Sequence, residues 1–310
     1  MKKNKKKVRL FNELKKNKGL FVMLMPAILL TLLFAYIPMV GLVLAFKDYR
    51  YDLGIFKSQW IGLENFKFFF MSGTGVKITI NTILYNFINL ITSQALSVLV
   101  AISITEMNRK YFKKIVQSII FLPYFISWII VGAFIYNIFN VEYGTLNNIL
   151  EFFGHNPVNL YQMPYAWVLI IIFFNSWKWV GYNSIIYISA ITGIDQSTYE
   201  AAKIDGANIW QRISKITIPS IKSTIIIILL LNIGRITRGD FQMFYQIVGN
   251  NGQLFNATDV IDTFVFRALA QGGDIGMITA ATLYQSIIGF ILIATINYIV
   301  KKIEPDYALY

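Results

Sequence analysis

The stretch Ser197-Thr-Tyr-Glu-Ala-Ala-Lys-Ile-Asp-Gly-Ala-Asn-Ile-Trp-Gln-Arg-Ile-Ser-Lys-Ile-Thr-Ile-Pro219 is a short, largely polar loop between two long apolar runs. Ser197 and Glu200 have the spacing of a capping box, which predicts that a short helix begins here. The Asp205-Gly206 pair then predicts a sharp turn, because glycine accepts the left-handed backbone conformation that such a turn needs. The loop is therefore expected to open with a helix that ends at the glycine.

A second short helix is predicted over 207–215, because apolar side chains recur there at helical spacing. Pro219 follows where the next apolar run begins, a position at which a helix tolerates the missing N–H. The loop also contains small residues that allow the backbone of a partner to come close: Ala201, Ala202, Gly206 and Ala207. A compact helix–turn–helix of this kind suits docking into a groove of another protein.

The apolar runs around this loop indicate whether the chain folds in water or in a membrane. Of its 310 residues, 56% are hydrophobic and 14% are charged, whereas soluble domains carry roughly 25% charged residues. A membrane-spanning helix needs about 20 mostly apolar residues. Runs of this kind occupy 20–46, 78–105, 115–139, 165–191, 218–236 and 277–300. The sequence therefore predicts an all-α integral membrane protein with about six transmembrane helices.

The positive charges predict how these helices are oriented. Lys and Arg crowd into residues 1–19, whereas the loop 140–164 contains neither. Because positively charged segments stay in the cytoplasm, both termini are placed there. The basic N-terminus can also lie against anionic lipid of the bilayer, which accounts for its charge without a nucleic-acid partner.

The chain is accordingly divided into membrane and loop segments. The first apolar run is too long for a signal peptide and is expected to remain as an anchor that is kinked near Pro38. The predicted segments are a basic cytoplasmic N-terminus (1–19), a first transmembrane helix (20–46), an external loop (47–77), a core of five transmembrane helices (78–300) with the cytoplasmic loop at 196–217, and a cytoplasmic tail (301–310).

Composition also excludes several kinds of chemistry. The chain contains no cysteine and one histidine, His155, so the common zinc sites cannot be assembled and no metal site is predicted. His155 lies in a polar external loop and is expected to be solvated, so no Ser-His-Asp triad is predicted either. The phosphate-binding pattern GxxxxGK[ST] does not occur in the sequence. The chain is therefore not expected to be an enzyme, and any nucleotide used in its work is bound by another chain.

The loop residues match a known pattern. The run Glu200-Ala-Ala-x-x-Asp-Gly-Ala207, followed by Ile216-x-Ile-Pro219, resembles the EAA loop of the permease subunits of bacterial ABC importers. The sequence departs from the usual pattern at Ile213, where the family has Phe, and at Ile218, where it has Leu. Both replacements stay apolar. The resemblance implies that these residues couple the permease to an ATPase: Glu200, Ala201, Ala202, Asp205, Gly206 and Ala207.

Other segments extend the resemblance along nearly the whole chain. They are similar to the sugar-importer branch, and within it to the subfamily that imports oligosaccharides released from polysaccharides: 46–49, 60–66, 81–82, 121–127 and 261–267. The resemblance implies the type I ABC-importer permease fold, in the bacterial cytoplasmic membrane. It also implies a complex with a second homologous permease, two ATPase subunits and an external solute-binding protein. In such a complex the ATPases bind ATP and Mg, and this chain needs no cofactor.

Polar residues within the apolar runs are candidates for a substrate path. Lys178 lies near the middle of the fourth run, where a charge costs at least about 2.5–3.5 kcal/mol. It either lines the path or is tied to a carboxylate or backbone carbonyl. The mixture of aromatic, amide and basic groups suits a sugar and gives the candidate path Lys178, Trp177, Tyr182, Asn183, Asn232, Arg235 and Arg238; Trp179 and Asn175 belong to the same mixture.

Two questions stay open at this point. Lys178, Arg235 and Arg238 favour an acidic oligosaccharide, unless Arg238 pairs with Asp240 and Lys178 is structural. The alternative function is an ion-gradient-driven secondary transporter, which would place carboxylates inside the membrane for ion coupling. The apolar runs hold almost none. A membrane enzyme or sensor would need a catalytic cluster or a cytoplasmic domain, and the sequence contains neither.

Overall fold

The structure, a computed structural model, describes residues 16–71, 73–234 and 236–303. Within these ranges it is built of helices apart from one pair of two-residue strands. The chain divides into two compact units. Residues up to 68 together with 274–283 form the first, and 69–273 together with the residues from 284 onward form the second. The predicted all-α class is confirmed.

The first unit begins with a continuous helical segment, Lys18–Phe46. It consists of α1 (Lys18–Thr31), a π-helical turn (Leu32–Tyr36) and a 3-10 helix (Ile37–Phe46). The hydrogen-bonding pattern changes beside Pro38, in the first turn of the 3-10 helix, because proline has no N–H with which to continue the preceding pattern. The first predicted run therefore forms a helix that stays regular at Pro26 and changes its pattern beside Pro38.

A short antiparallel pair of strands follows the first helix. In β1 (Lys47–Asp48) and β2 (Gln59–Trp60), Lys47 lies opposite Trp60. The side-chain amide of Asn65 donates to the carbonyl oxygens of Ala45 and Lys47 at 3.1 and 3.0 Å. These bonds attach the loop to the end of the first helix. The segment also contains α2 (Gly54–Lys57) and α3 (Glu64–Met71).

The remaining helices follow in chain order. They are α4 (Thr74–Thr105), α5 (Lys110–Phe121), α6 (Trp128–Phe139), α7 (Thr145–Phe152), α8 (Pro164–Thr192), α9 (Gln196–Ile204), α10 (Ile209–Arg212), α11 (Ile218–Ser220), α12 (Lys222–Ile233), α13 (Phe241–Val248), α14 (Phe255–Thr258), α15 (Ile261–Ala270) and α16 (Ile275–Ile303). Leu122–Phe125 and Leu160–Gln162 are 3-10 turns, and Ile213–Thr217 is a π-helical turn.

The third predicted run is broken. The helical segment Lys110–Phe125 and α6 are bent by 94° relative to each other, so the expectation of one continuous helix over 115–139 is wrong. Pro123 lies in the 3-10 turn before the break and lacks the N–H that a continuing helix requires. Ser127 then starts α6, because its hydroxyl accepts a hydrogen bond from the amide of Ile130 at 3.4 Å.

The fifth predicted run also bends. The segment Ile209–Ser220 and α12 meet at 56°, and Ile221 between them has φ −95° and ψ 4°. Pro219 lies in the short α11 just before this point. The helix that follows the loop therefore starts at Lys222, a few residues later than the predicted 218.

By length and composition, three described helical segments can cross a membrane alone: Lys18–Phe46, Thr74–Thr105 and Ile275–Lys302. Counting each bent pair as one span gives up to five. The fourth predicted run, which forms α8, is not among them although it has 29 residues. Polar residues such as Asn175, Lys178 and Asn183 lower its mean hydropathy. Two of them, Asn175 and Asn183, also line the cavity of the candidate site.

Two hydrophobic clusters stabilise the second unit. One surrounds the fully buried Trp167 and the buried Phe244, and joins α6, α8 and α13. The other surrounds Tyr187 and joins the C-terminal end of α4 to α8. α8 also lies against α5, where a Cβ at Gly181 would overlap the carbonyl oxygen of Ile120. Glycine therefore permits this close approach.

Candidate functional site

The first helix of the 196–217 loop begins two residues earlier than the sequence suggested. Asp195 is the N-cap of α9, and its Oδ1 accepts a hydrogen bond from the amide of Ser197 at 2.9 Å. This bond holds the pKa of Asp195 below its ordinary value, because it favours the charged carboxylate. The predicted capping box of Ser197 and Glu200 is therefore wrong. Two capping-type residues stand two positions apart, and the earlier one has the extended backbone of an N-cap.

The predicted glycine turn is present. Gly206 has φ +78°, and the amides of Gly206 and Ala207 donate to the carbonyls of Lys203 and Ala202 at 3.1 and 2.8 Å. These bonds form a Schellman motif, which satisfies the last carbonyls of α9. A Cβ built on Gly206 would contact no atom of the described part of the chain within 4 Å, so the turn has open space around it.

The second short helix is present over part of its predicted range. Asn208 and Gln211 form a capping box. The amide of Gln211 donates to Asn208 Oδ1 at 2.9 Å, and the amide of Asn208 donates to Gln211 Oε1 at 2.8 Å. α10 then continues through the π-helical turn. Around the glycine turn, Ile204 and Trp210 are 86% and 76% exposed. The loop thus presents small residues flanked by two exposed apolar side chains, as a docking element would.

The loop is also attached to the helices beneath it. Arg212 Nη2 lies 3.6 Å from a carboxylate oxygen of Glu106, the C-cap residue of α4. The hydroxyls of Tyr199 and Thr217 are hydrogen-bonded at 2.9 Å. The loop therefore has defined contacts with α4 and between its own two ends.

A polar cavity of about 460 Å³ is the second feature of the site. Residues of α4, α8, α12 and the segment that leads into α13 line it, and most of them carry amide, hydroxyl or aromatic groups. The lining residues are Asn86, Asn89, Leu90, Ser93, Gln94, Asn175, Trp179, Tyr182, Asn183, Asn232, Ile236, Arg238, Gly239 and Asp240.

One wall of the cavity is a polar stripe on α4. Asn86, Asn89 and Ser93 recur three and four residues apart, so they lie on one face of the helix. Ser93 Oγ accepts a hydrogen bond from Asn183 Nδ2 at 3.1 Å, which joins α4 to α8. The Oδ1 atom of Asn89 is buried and has no hydrogen-bond partner among the residues that the structure describes. A buried acceptor of this kind is costly to leave unpaired, so it is a ready partner for a hydroxyl group or water in the cavity.

The other wall is aromatic. The rings of Tyr124 and Tyr182 are stacked, with centroids 4.3 Å apart and planes 14° apart. Trp179 meets both rings edge-on, at 5.5 and 6.0 Å. Aromatic faces beside amide groups are a combination that binds the apolar faces and the hydroxyls of a sugar at the same time.

The structure brings together four of the residues proposed for the substrate path: Tyr182, Asn183, Asn232 and Arg238. Trp177 lies elsewhere, half-buried against the first hydrophobic cluster with its ring 6.0 Å from that of Phe174. Trp179 occupies the aromatic position in the cavity instead. Neighbouring helical positions point in different directions, so these two tryptophans cannot share a face. Arg235 lies outside the described residues.

Lys178 is buried but does not line the cavity. Its Nζ donates to the carbonyl oxygens of Ile126, of Tyr124 at 3.2 Å and of Pro123 at 3.5 Å. It also lies 5.2 Å from the centroid of the Trp128 ring. Of the two roles left open, the structure supports the tie to backbone carbonyls, which lie at the 94° break between α5 and α6.

Arg238 and Asp240 do not form an ion pair among the described residues. Asp240 Oδ2 accepts from Trp128 Nε1 at 3.0 Å, and Oδ1 accepts from the amide of Met243 at 3.1 Å. This carboxylate is the N-cap of α13. Arg238 is exposed at the cavity, where its guanidinium group is available to a ligand.

Sequence reasoning missed the polar stripe of α4, formed by Asn86, Asn89, Ser93 and Gln94. The overall apolar composition of the second run predicts only a membrane helix over 78–105. Its polar residues nevertheless recur at three- and four-residue spacing, which is the signal of one polar face on an otherwise apolar helix. That spacing could have identified the face from the sequence.

Apolar helices around an open cavity with polar and aromatic walls, together with an exposed helix–turn–helix loop, are features of the membrane subunit of a transporter. Residues 95–307 match the family described as the binding-protein-dependent transport system inner membrane component. The chain belongs to this family.

Similar proteins agree with this assignment. The polygalacturonan/rhamnogalacturonan transport system permease protein YteP of Bacillus subtilis is 34% identical over 98% of this chain and 94% of its own length. Protein LplB of the same organism is 32% identical over 94% of this chain and 92% of its own. The resemblance to permease subunits of carbohydrate importers is therefore confirmed.

Solved structures show the same fold over nearly the whole chain. One is a crystal structure of a bacterial ABC transporter involved in the import of the acidic polysaccharide alginate. It has a TM-score of 0.86 and 32% identity, and the match covers 96% of this chain and 99% of that one. A second is a crystal structure of a bacterial alginate ABC transporter in complex with an alginate pentasaccharide-bound periplasmic protein, with a TM-score of 0.85 and 32% identity over 95% and 98% of the two chains. The predicted type I ABC-importer permease fold is confirmed.

Proposed function

We propose that this chain is one of two permease subunits of an ATP-driven importer that carries oligosaccharides into a bacterial cell. The observation that carries the proposal is the combination of the polar cavity with the exposed 196–217 loop. The cavity offers amide groups and aromatic faces, which suit a sugar. The loop offers a glycine turn with open space around it, which suits docking of a partner.

The proposed complex contains a second homologous permease, a pair of ATPase subunits and an external solute-binding protein. The ATPases bind ATP and Mg, and the residues that contact them are Glu200, Ala201, Ala202, Asp205, Gly206 and Ala207. This chain crosses the cytoplasmic membrane six times with both termini inside. The matched alginate transporter in complex with a periplasmic protein supports the external partner.

The proposed mechanism is alternating access. ATP binding closes the ATPase pair and moves the docked loops, so the cavity opens to the outside and receives sugar from the binding protein. Hydrolysis then returns the cavity to its inward-facing state. The sugar shifts this equilibrium only as far as it binds the two states with different affinity.

The proposed substrate is acidic, such as an oligosaccharide that contains uronic acid. Arg238 is exposed at the cavity and forms no ion pair within 4 Å among the described residues, although its charge also acts on the buried carboxyl of Asp262. A guanidinium group binds a carboxylate through two parallel hydrogen bonds. The relatives whose names specify acidic polysaccharides, polygalacturonan and alginate, support the same substrate class.

The cavity is poorly equipped for ion-gradient coupling. Among its described lining residues, Asp240 is the acidic one, and both of its oxygens accept hydrogen bonds that hold the start of α13. A secondary transporter would need a carboxylate that is free to bind and release its ion.

Uptake into proteoliposomes tests the proposal. The purified complex, with ATP inside the vesicles and binding protein outside, is given a labelled uronic-acid oligosaccharide or a neutral one of equal length. We expect uptake that requires both ATP and binding protein, and that favours the acidic sugar. Uptake driven by a proton or sodium gradient without ATP would overturn the importer assignment, and preference for the neutral sugar would overturn the substrate class.

A further inference from the structure

The cavity and the 196–217 loop lie on different stretches of chain, and the proposed mechanism requires that movement of the loop changes the cavity. α4 is the element that reaches both. Its middle turns carry the polar stripe that lines the cavity, and its last residues lie beside the loop. With about 1.5 Å of rise per residue, Gln94 and Glu106 are separated by roughly 18 Å along the helix.

At the loop end, α4 is attached through an ion pair. Arg212 and Glu106 approach to 3.6 Å, and their side chains are 14% and 27% exposed. A pair this sheltered is screened less than a surface pair. Arg212 also donates through Nη1 to the carbonyl oxygen of Ala207 at 3.1 Å, which connects the pair directly to the glycine turn.

The position of Glu106 is itself unusual. It is the C-cap residue of α4, where the negative end of the helix dipole disfavours an acidic side chain. Opposite charge from Arg212 offsets this effect. The contact of Glu106 with Arg212 of the loop therefore explains this acidic residue better than any contribution to the stability of α4 does.

At the cavity end, α4 is attached to the chain that continues from the loop. Gln94 Nε2 donates to the carbonyl oxygen of Ile225 in α12 at 3.0 Å. Asn86 Nδ2 donates to the carbonyl oxygens of Ile236 and Arg238 at 2.9 and 3.1 Å. α4 is thus bonded at three levels to the chain from Arg212 to Arg238.

We propose that the ion pair between Arg212 and Glu106 is a positioning pair, which transmits movement of the docked loop to α4 and so to the polar wall of the cavity. The inference rests on the proposed function. When the ATPase moves the glycine turn, Arg212 pulls or pushes the end of α4, and the rigid helix carries Asn86, Asn89 and Ser93 with it. Without the pair, the loop moves while the wall of the cavity lags behind.

The test uses the complete complex in proteoliposomes and measures the number of sugar molecules imported per ATP hydrolysed. This ratio does not depend on the amount of complex recovered. Glu106→Gln keeps the length and polarity of the side chain but removes the ion pair, and it leaves the loop itself untouched. Arg212→Gln removes the other partner, and Arg212→Lys keeps the charge.

We expect Glu106→Gln and Arg212→Gln each to lower the ratio by at least about threefold, within the range that mutations between coupled sites produce. ATPase activity stimulated by the binding protein persists in both. The double variant shows no further loss, because both changes remove the same interaction. Arg212→Lys retains most of the wild-type ratio.

The matched control is Asp52→Asn, which removes the exposed pair of Asp52 with Arg50 at 3.4 Å. It is expected to leave the ratio unchanged. A wild-type ratio in Glu106→Gln overturns the proposal. So does failure of that variant to assemble, or a proportional loss of ATPase activity and uptake, since either result assigns the pair to folding alone. A wild-type complex that hydrolyses ATP without importing sugar would instead count against the proposed function.

Discussion

The ammonium group of Lys178 lies 3.2 Å from the backbone carbonyl oxygen of Tyr124, whose ring stacks on Tyr182 in the wall of the cavity. The buried ammonium group therefore binds the backbone at the break between α5 and α6. It also holds Tyr124, whose ring packs against the cavity residue Tyr182. The cost of placing a charge at this depth is offset by the hydrogen bonds that the ammonium group donates to the carbonyl oxygens of Pro123, Tyr124 and Ile126 at the break. Lys178 thus acts on the cavity through Tyr124.

Lys178→Met should destabilise the protein. Methionine fills a similar volume but gives no donors to the carbonyls at the break, and the loss of a hydrogen bond to a charged group costs about 1.5–3 kcal/mol. Thermal unfolding of the purified complex should shift down by several degrees. Lys114→Met, on the exposed face of α5, is the control. Equal melting temperatures for the two variants would contradict the structural role.

Gly206→Val should disconnect the ATPase from the permease. Gly206 has φ +78°, and this conformation costs a residue with a side chain about 1–2 kcal/mol, so the docking-competent turn becomes roughly tenfold less populated. We expect normal membrane insertion but loss of ATPase activity stimulated by binding protein and sugar.

Gly154→Val is a matched control for this strain. Gly154 has φ +75° and, like Gly206, open space around its Cβ position, but it lies in the loop after α7. The control should retain stimulated ATPase activity. Equal losses in the two variants would attribute the effect to backbone strain in general, and full activity of Gly206→Val would exclude the glycine turn from coupling.

Arg238→Gln should change the response to substrate charge. An ion pair between exposed groups contributes about 0.2–1 kcal/mol, so without Arg238 uptake of the acidic oligosaccharide should fall by roughly 1.4- to fivefold at low ionic strength. The salt dependence of that uptake should weaken as well. Uptake of a neutral oligosaccharide of equal length is the internal control, and an equal fall for both sugars would assign Arg238 to structure.

Stability should depend on pH through Asp262. Burial raises the pKa of this carboxyl, against the opposing effect of hydrogen bonds from the amide of Gly239 and from Gln285. The folded state therefore binds the proton more tightly than the unfolded state does. Stability falls as the pH rises from the ordinary Asp value of about 3.9 through the raised folded pKa, and then levels off.

Asp262→Asn keeps an oxygen that can accept both hydrogen bonds and removes the charge. The variant should be at least as stable as wild type near neutral pH, and its melting temperature should change less between about pH 4 and 7. Asp52→Asn, at an exposed carboxyl, controls for general charge effects. A wild-type pH profile in Asp262→Asn would rule out this carboxyl as the source.

The sequence by itself determined the class, the family and the loop. The apolar runs exclude a soluble fold, and the spacing from Glu200 to Pro219 is local information that needs no tertiary contact to be recognised. The glycine turn followed for the same reason, since a Schellman motif depends on a few adjacent residues. The sequence did not determine that Asp195 is the N-cap of α9, because Asp195 and Ser197 can both cap a helix at similar energy.

Only the tertiary structure decided which polar residues share a cavity. Trp177 and Trp179 are two positions apart in one helix, and nothing in the chain near them states which face meets the core and which meets α4. Lys178 has its partners at residues 123–126, and Arg212 has its partner at Glu106. Interactions between residues so distant in the chain arise from helix packing, so their pairing becomes visible only once the helices are placed side by side.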